Sequence, residues 1–183
     1  MLNSDFLDEF KRTTEAKWST VSLDPMIYGF QFQPGTRWNP GLSDEVVAEY
    51  ENLLGVRFPH DFKLFLKAMN GTDIPTLNIY GSSGYPPCQS VGVYSYPRDI
   101  EIIKRGIEYV SESRAELRIT LADQGFDLPA EAGLAPIFAH RYVMCTSNLS
   151  TSVVLSIIDR QDAIVYGDSL KEYLVCEFLG DSP

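Results

Sequence analysis

The chain is poor in the residue types on which most enzymatic and metal sites depend. Its 183 residues include two histidines and three cysteines, and no two cysteines form a CxxC pair. Cys88, Cys145 and Cys176 are widely spaced, so the sequence predicts neither a disulfide framework nor a tetrahedral zinc site. Cys145 and Cys176 lie in apolar runs and are expected to be buried, whereas Cys88 follows two prolines and is expected to face solvent.

Positive charge is also scarce. Fifteen Lys and Arg residues stand against 25 Asp and Glu residues, for a net charge of -10 and a pI near 4.6. Because nucleic-acid affinity depends on clustered cations, DNA and RNA are not expected as ligands. No apolar run approaches the roughly 18 residues of a membrane span, and the acidic start does not look like a secretory signal. The sequence therefore predicts a cytoplasmic protein with no membrane contact and no cofactor.

The chain does have enough apolar material for one core, since 44% of its residues are hydrophobic. Phe6, Leu7 and Phe10 predict an amphipathic helix over residues 3–17. Residues 18–42 are irregular but rich in large rings, so this stretch is expected to pack as a wrapped loop or edge strand. We expect one domain, in which residues 1–37 form an N-terminal helix and aromatic loop packed on residues 38–183.

A pair of helices is the clearest local pattern. Ser43 is a suitable N-cap and Gly55 a suitable C-terminal residue for the first helix, while Pro59 can start a second that stops at Asn70-Gly71. Apolar residues at helical spacing continue from Arg98 to about residue 123, which predicts one long or two consecutive helices. Ser169 and Glu172 form a capping box for a last helix.

Strand patterns lie between these helices. Leu77, Ile79 and Tyr80 predict a short strand, residues 91–96 are a second candidate, and a loop region follows over residues 125–136. Apolar runs over residues 137–145, 151–158 and 163–166, with Asn148 and residues 159–162 in the turns, predict an antiparallel meander. The fold class is therefore α+β, with helices packed on a mainly antiparallel sheet.

The search for catalytic chemistry finds little. Gly81-Ser82-Ser83-Gly84 is followed by no Lys and no helix, which favours a solvated turn over a phosphate loop. His60 is expected on the surface of a helix, and His140 on a strand with its side chain on the face opposite Arg141. These histidines supply neither a catalytic triad nor a metal cluster. We predict no catalytic residue and no metal site, although paired carboxylates among 25 acids leave a small hydrolase as an alternative.

Several segments also resemble a known family. They are Trp38-Asn39-Pro40-Gly41-Leu42-Ser43, Leu54-Gly55-Val56-Arg57-Phe58-Pro59, Met69-Asn70-Gly71, His140-Arg141-Tyr142 and the closing Tyr173-Leu174. Together they resemble the SUKH superfamily, the Smi/Knr type of cell-wall regulators and bacterial immunity proteins. The resemblance extends from residue 38 over nearly the whole remaining chain, and the run from Arg98 to Asp123 looks like an elaboration of the smallest members.

The resemblance implies an α+β fold in which helices surround a curved, mainly antiparallel sheet, and it implies no catalysis. Many bacterial members look like immunity proteins that bind and neutralise a toxin, often a nuclease, while eukaryotic members are regulatory modules. The first hypothesis is therefore a non-catalytic immunity protein that binds a basic toxin. A regulatory or scaffolding interaction module is the second hypothesis.

Candidate partner contacts follow from the charge. An acidic face steers association with a basic partner, although the excess of acids is equally explained by a solvated surface. Asp168 has a second interpretation, because its carboxylate could instead stabilise the positive N-terminal end of the last helix. The candidates are the acids of the strand turns and last helix, with two aromatic anchors: Asp159, Asp162, Asp168, Glu172, Trp38 and Tyr85.

Overall fold

A computed structural model describes residues 2–146 and 152–180 of the chain. Within these residues, helices pack on antiparallel sheets, so the predicted α+β fold class is confirmed. The helices are α1 Ser4–Thr20, α2 Asp44–Leu54, α3 His60–Ala68, α4 Ile100–Glu112, α5 Arg114–Ala122 and α6 Leu170–Leu174, which continues as a π-helical turn over Val175–Leu179.

The strands form three sheets among the described residues. β1 Gly29–Gln31, β4 Thr76–Ile79 and β5 Cys88–Ser90 make one sheet in the order β1-β4-β5. β2 Trp38–Pro40 pairs with β3 Met69–Thr72. The third sheet is a meander in chain order, made of β6 Gly133–Phe138, β7 Arg141–Cys145, β8 Val154–Ile157 and β9 Ala163–Gly167.

The meander confirms the predicted topology but corrects its boundaries. The single strand expected over residues 137–145 is two strands, β6 and β7, joined by a tight turn in which Ala139 has φ +46°. Residues 133–136 were expected in a loop, yet they form most of β6. Pro136 fits there because β6 is the edge strand, where a residue without an amide hydrogen is tolerated. Asn148 and Thr151 lie outside the described residues.

Strands β6, β7 and β8 of the meander are buried on both faces, which explains why they are so apolar, whereas Ile164 and Tyr166 of β9 are exposed. Along β7, Val143 and Cys145 belong to the larger core cluster, whereas Tyr142 and Met144 belong to a smaller one. Alternate residues of a strand point to opposite faces, so each cluster takes every second side chain. The smaller cluster is completed by Val110 of α4 and by Leu117 and Leu121 of α5. The helical run from Arg98 is thus two helices that cover one face of the sheet.

The predicted helical pair is confirmed as α2 and α3, and a buried carboxylate joins them. Ser43 Oγ accepts from the amide of Val46 at 3.3 Å, and Gly55 ends α2 with φ +65°. Glu51 is buried, and its Oε1 accepts from the amide of Phe58 at 2.6 Å and lies 2.8 Å from Lys63 Nζ. This carboxylate holds the link between the helices in place.

Asn70-Gly71 does not simply stop the chain, because it continues from α3 directly into β3. Gly71 has φ +71°, and a Cβ there would lie 2.6 Å from Ser95 Cβ. Both the backbone conformation and the close approach require glycine. The candidate strand over residues 91–96 is replaced by β5 just before it, and only Val93 makes a bridge, to Phe138.

The aromatic residues of the N-terminal segment fill the larger core. Trp18 of α1 stacks on Phe32 with ring centroids 4.2 Å apart, and it also contacts Trp38 at 5.2 Å. Trp38 is 5% exposed and its indole N–H donates to Thr14 Oγ1 at 2.8 Å. Trp38 is therefore unavailable to a partner, and its prediction as a binding anchor is wrong.

The cysteines and helices give two further results. Cys145 is buried and Cys88 exposed, as predicted, whereas Cys176 is half-buried rather than part of the core. Among the described residues, no helix combines the length and the hydrophobicity that crossing a bilayer requires.

Candidate functional site

Two stretches of the chain contain no charged residue, and the fold brings them together. Residues 25–36 and 74–97 have no Asp, Glu, Lys, Arg or His, although 22% of all residues in the chain are charged. β1 lies in the first stretch and pairs with β4 in the second, which in turn pairs with β5. We call these two stretches the uncharged lobe.

The surface of the uncharged lobe exposes large apolar side chains. Tyr28 is 72% exposed and Tyr85 is 71% exposed. The ring of Tyr80 contacts each of them edge to face, with its centroid 6.0 Å from that of Tyr28 and 6.1 Å from that of Tyr85. These rings, with Ser83, Pro86 and Cys88, line a hollow of about 680 Å³ that we call the tyrosine hollow.

Short-range hydrogen bonds fix the turn that carries Tyr85 and the side chain of Tyr80. The chain turns after β4 through Gly81–Ser83, and Ser83 Oγ accepts from the amide of Tyr85 at 3.3 Å. The hydroxyl of Tyr80 lies 3.2 Å from Asn78 Nδ2 and 3.4 Å from Cys88 Sγ. The hydrogen bond with Cys88 raises the pKa of Tyr80, so its hydroxyl remains protonated at neutral pH.

A second concavity adjoins the hollow and shares Tyr28 with it. This arginine cleft has a volume of about 540 Å³, and its lining includes Phe30, His140, Arg141 and Glu177. Phe30 comes from β1, and Glu177 comes from the turn that extends α6. His140 lies in the turn before β7, and Arg141 is the first residue of that strand. The cleft therefore forms where the uncharged lobe meets the meander and the C-terminal helix.

Arg141 is held by three interactions at the base of this cleft. Its Nε lies 3.4 Å from Glu177 Oε2, and its Nη1 donates to Ser156 Oγ at 2.7 Å. Its guanidinium carbon lies 4.0 Å from the ring centroid of Tyr166. Arg141 and Glu177 neutralise each other, so the cleft presents no free charge from this pair.

His140 is half-buried beside Arg141. Burial, and secondarily the positive charge of Arg141, lowers the pKa of His140 to about 4. The imidazole is therefore neutral at pH 7. The two side chains were predicted to lie on opposite faces of one strand, which is wrong. Both line the cleft, because His140 lies in the turn before β7 rather than within the strand.

His60 is exposed on α3, as predicted. Within residues 2–146 and 152–180, no group of three or more His, Cys, Asp and Glu side chains is arranged to hold a metal ion.

The acidic residues predicted to contact a partner lie at two separate places. Asp159 Oδ1 accepts from the amides of Gln161 and Asp162 at 2.7 and 2.9 Å, so it stabilises the turn between β8 and β9. Asp168 and Glu172 lie beyond the other end of β9, and Asp168 is about 20 Å from Asp162 along the strand, at about 3.3 Å per residue. The acids therefore do not form one patch.

Local roles account for part of this acidic set. Ser169 Oγ accepts from the amide of Glu172 at 3.2 Å, which is the N-cap half of the predicted capping box. The Glu172 side chain reaches back one residue further than predicted, and its Oε2 accepts from the amide of Asp168 at 3.2 Å. Ile158, directly before Asp159, lines the arginine cleft, so the β8–β9 turn borders the candidate site.

Tyr85 is the one predicted residue that lies inside the tyrosine hollow, while Tyr28 and Tyr80 were missed. The sequence does contain a pattern that could have identified Tyr28 and Tyr80, because each lies in a long stretch without charged residues. What the sequence does not reveal is that the two stretches pair through β1 and β4.

Comparison with known proteins identifies the family to which the chain belongs. No curated protein gives a significant match. The model of the SMI1 / KNR4 family (SUKH-1) matches residues 41–174, from just before α2 to the end of α6. This range includes Tyr80 and Tyr85 of the hollow and the whole meander, and it covers well over half of the chain. The chain belongs to the SMI1 / KNR4 (SUKH-1) family.

Proposed function

We propose that the protein is a non-catalytic protein-binding domain that acts in the cytoplasm as a bacterial immunity protein, binding and neutralising a basic toxin. The contact surface is the uncharged lobe with its tyrosine hollow. The observation that carries this proposal is the exposure of Tyr28 and Tyr85 on a charge-free surface of a strongly acidic protein. Interface centres are depleted in charged residues and enriched in tyrosine, and tyrosines are frequent hot spots.

The acidic charge has a separate role in this proposal. A net charge of -10 attracts a basic partner over a distance of about a Debye length and raises the association rate. Asp159 and Asp162 lie in the β8–β9 turn, whose first residue, Ile158, lines the arginine cleft, so both aspartates are suited to the rim of the interface. Asp168 and Glu172 serve the same long-range attraction. Rim charges affect association rates and salt dependence more than they affect affinity.

No catalytic role is included in the proposal. Arg141 and Glu177 are engaged with each other, and Arg141 is additionally held by Ser156 and Tyr166. These contacts give both residues a structural role at the base of the cleft. His140 lies beside this pair without a carboxylate hydrogen-bonded to its ring among the described contacts.

The test is co-purification of a tagged protein from its native host at two salt concentrations. We expect a basic toxin-like protein to be recovered, with less recovery at high salt because screening weakens the attraction. Tyr85→Ala is expected to reduce recovery about tenfold or more, as for a hot-spot tyrosine. Leu53→Ala is the control, since Leu53 is 46% exposed on α2, outside both the lobe and the β8–β9 turn.

Other outcomes would redirect the proposal. Recovery of a partner that is not a toxin would favour a regulatory or scaffolding module. Equal loss of partner in the Tyr85 and Leu53 variants would exclude the uncharged lobe as the contact surface.

A further inference from the structure

We propose that the tyrosine hollow binds a proline-rich segment of the partner in the polyproline II conformation. This inference rests on the proposed function, because it names the part of the partner that the hollow takes. It is argued from the chemistry of the lining, the pairing of the strands and the spacing of the rings.

The lining of the hollow is apolar and uncharged, and its polar groups are hydroxyls. Tyr28, Tyr80 and Tyr85 present ring faces and edges with phenolic donors, and Ser83 adds a fourth hydroxyl. A charged segment would lose its hydration here and find no opposite charge in either stretch of the lobe. The complementary segment is therefore apolar, uncharged and rich in hydrogen-bond acceptors.

A proline-rich segment has these properties. Each proline lacks an N–H but keeps its carbonyl oxygen, and in polyproline II no internal hydrogen bond consumes that oxygen. The carbonyls are free to accept from tyrosine hydroxyls while the pyrrolidine rings pack on the aromatic faces. Because the segment is already extended before binding, little conformational entropy is lost when it docks.

Strand addition is less suited to this position. β4 is already paired on both sides, with β1 through Gly29–Gln31 and with β5 through Cys88–Ser90. Its backbone groups are consumed in those ladders, and the free edges of the sheet belong to β1 and β5. A peptide added to either edge would bind through its backbone, independently of the ring faces of Tyr28 and Tyr85, and the tyrosine variants below distinguish that mode from recognition by side chains. Aromatic grooves recognise polyproline II segments through side chains.

The spacing of the rings suits an extended chain. The centroids of Tyr28 and Tyr85 each lie about 6 Å from that of Tyr80. Polyproline II advances about 3.1 Å per residue, so two residues of the segment cover one ring-to-ring step. Asn78 and Cys88 hold the hydroxyl of Tyr80, so the ring that contacts both other tyrosines is fixed before a segment binds.

The test uses an acetylated and amidated decaproline peptide as the probe, with a Gly-Ser peptide of equal length as the control. Binding is measured by NMR titration of the intact protein. We expect saturable binding of decaproline with a Kd of about 1 mM or tighter. Shifted resonances should cluster on the uncharged lobe, and the Gly-Ser peptide should cause none of these shifts.

Variants locate the binding. Tyr28→Ala and Tyr85→Ala are each expected to weaken decaproline binding about tenfold, whereas Tyr109→Ala should leave it unchanged. Tyr28 and Tyr85 are exposed, so both variants should fold, which circular dichroism can verify. A second readout is the rate of Cys88 alkylation, which bound decaproline should slow because Cys88 lines the hollow.

Three results would overturn the inference: no saturable decaproline binding, equal binding of the Gly-Ser peptide, or binding that survives both tyrosine substitutions. A dimer in sedimentation equilibrium that Tyr85→Ala dissociates would also overturn it, since a second copy would then occupy the hollow. If partner recovery requires Tyr85 but decaproline does not bind, the proposed function stands and this inference fails. If partner recovery does not require Tyr85, the assignment of the binding surface fails as well.

Discussion

Arg141 at the start of β7 and Glu177 after α6 form an ion pair, with 3.4 Å between Nε and Oε2 and both side chains more than four-fifths buried. The pair connects the meander to the C-terminal helix directly beneath the arginine cleft. Since Arg141 also donates to Ser156 of β8, one guanidinium joins three elements of the fold.

Removing one partner of this pair is expected to destabilise the protein strongly. In Glu177→Gln, Arg141 keeps a buried positive charge with no opposite charge beside it, and we expect the free energy of unfolding to fall by about 3 kcal/mol. The measurement is urea denaturation. Glu9→Gln is the control, because Glu9 pairs with Arg12 on the exposed face of α1 and should cost less than about 0.5 kcal/mol. Similar losses in both variants would contradict a special role for the buried pair.

Glu51 offers a second test, at the link between α2 and α3. Glu51→Ala leaves the amide of Phe58 without its acceptor and removes the partner of Lys63, so unfolding should become easier by about 3 kcal/mol. Glu51→Gln keeps an acceptor for the amide of Phe58 but removes the negative charge, so its free energy of unfolding should fall by less than that of Glu51→Ala. Thermal and urea denaturation measure both variants. Glu49→Ala, exposed on the same helix, should have little effect.

The lowered pKa of His140 predicts a pH dependence of stability. As pH falls below about 6.5, the unfolded chain takes up a proton that folded His140 resists until about pH 4. Stability should therefore be lost as pH falls from about 6.5 to 4, by about 1 kcal/mol once the solvent exposure of this half-buried group is considered.

Variants isolate this contribution. In His140→Gln, the difference in stability between pH 7 and pH 4.5 should be smaller than in the wild-type protein. His60→Gln should leave the difference unchanged, because His60 is exposed. A wild-type pH profile in His140→Gln would show that other groups determine the dependence.

Thiol reactivity should separate the three cysteines. Cys88 is exposed, so the native protein should contain one thiol that reacts rapidly with Ellman's reagent. Burial raises the pKa of Cys145 and excludes the reagent, so this thiol should react only after unfolding in urea. Half-buried Cys176 should be slower than Cys88. A rapid phase that persists in Cys88→Ser would refute the assignment.

Local signals explain which elements could be predicted from the sequence. Ser43, Gly55 and Pro59 act on backbone groups within a few residues of themselves, so the helical pair is correct to within about two residues. The meander was also predicted, because its apolar runs are separated by turn residues. Its boundaries were not, since β6 and β7 are buried on both faces and show no alternation that would reveal the turn at Ala139 and His140.

The candidate site required the tertiary structure. Tyr28 and Tyr80 are far apart in the sequence, and only the pairing of β1 with β4 brings their rings within 6.0 Å. Trp38 and Tyr85 look alike as anchors in the sequence, yet the core takes Trp38 because α1 supplies Thr14 for its indole N–H.

The sequence by itself determined the charge, the helix ends, the α+β class and the family resemblance, because each depends on composition or on residues near one another in the chain. Only the tertiary structure decided which aromatic rings are exposed and which acids lie together. Those properties depend on contacts between distant segments, and such contacts leave no periodic signal in either segment alone.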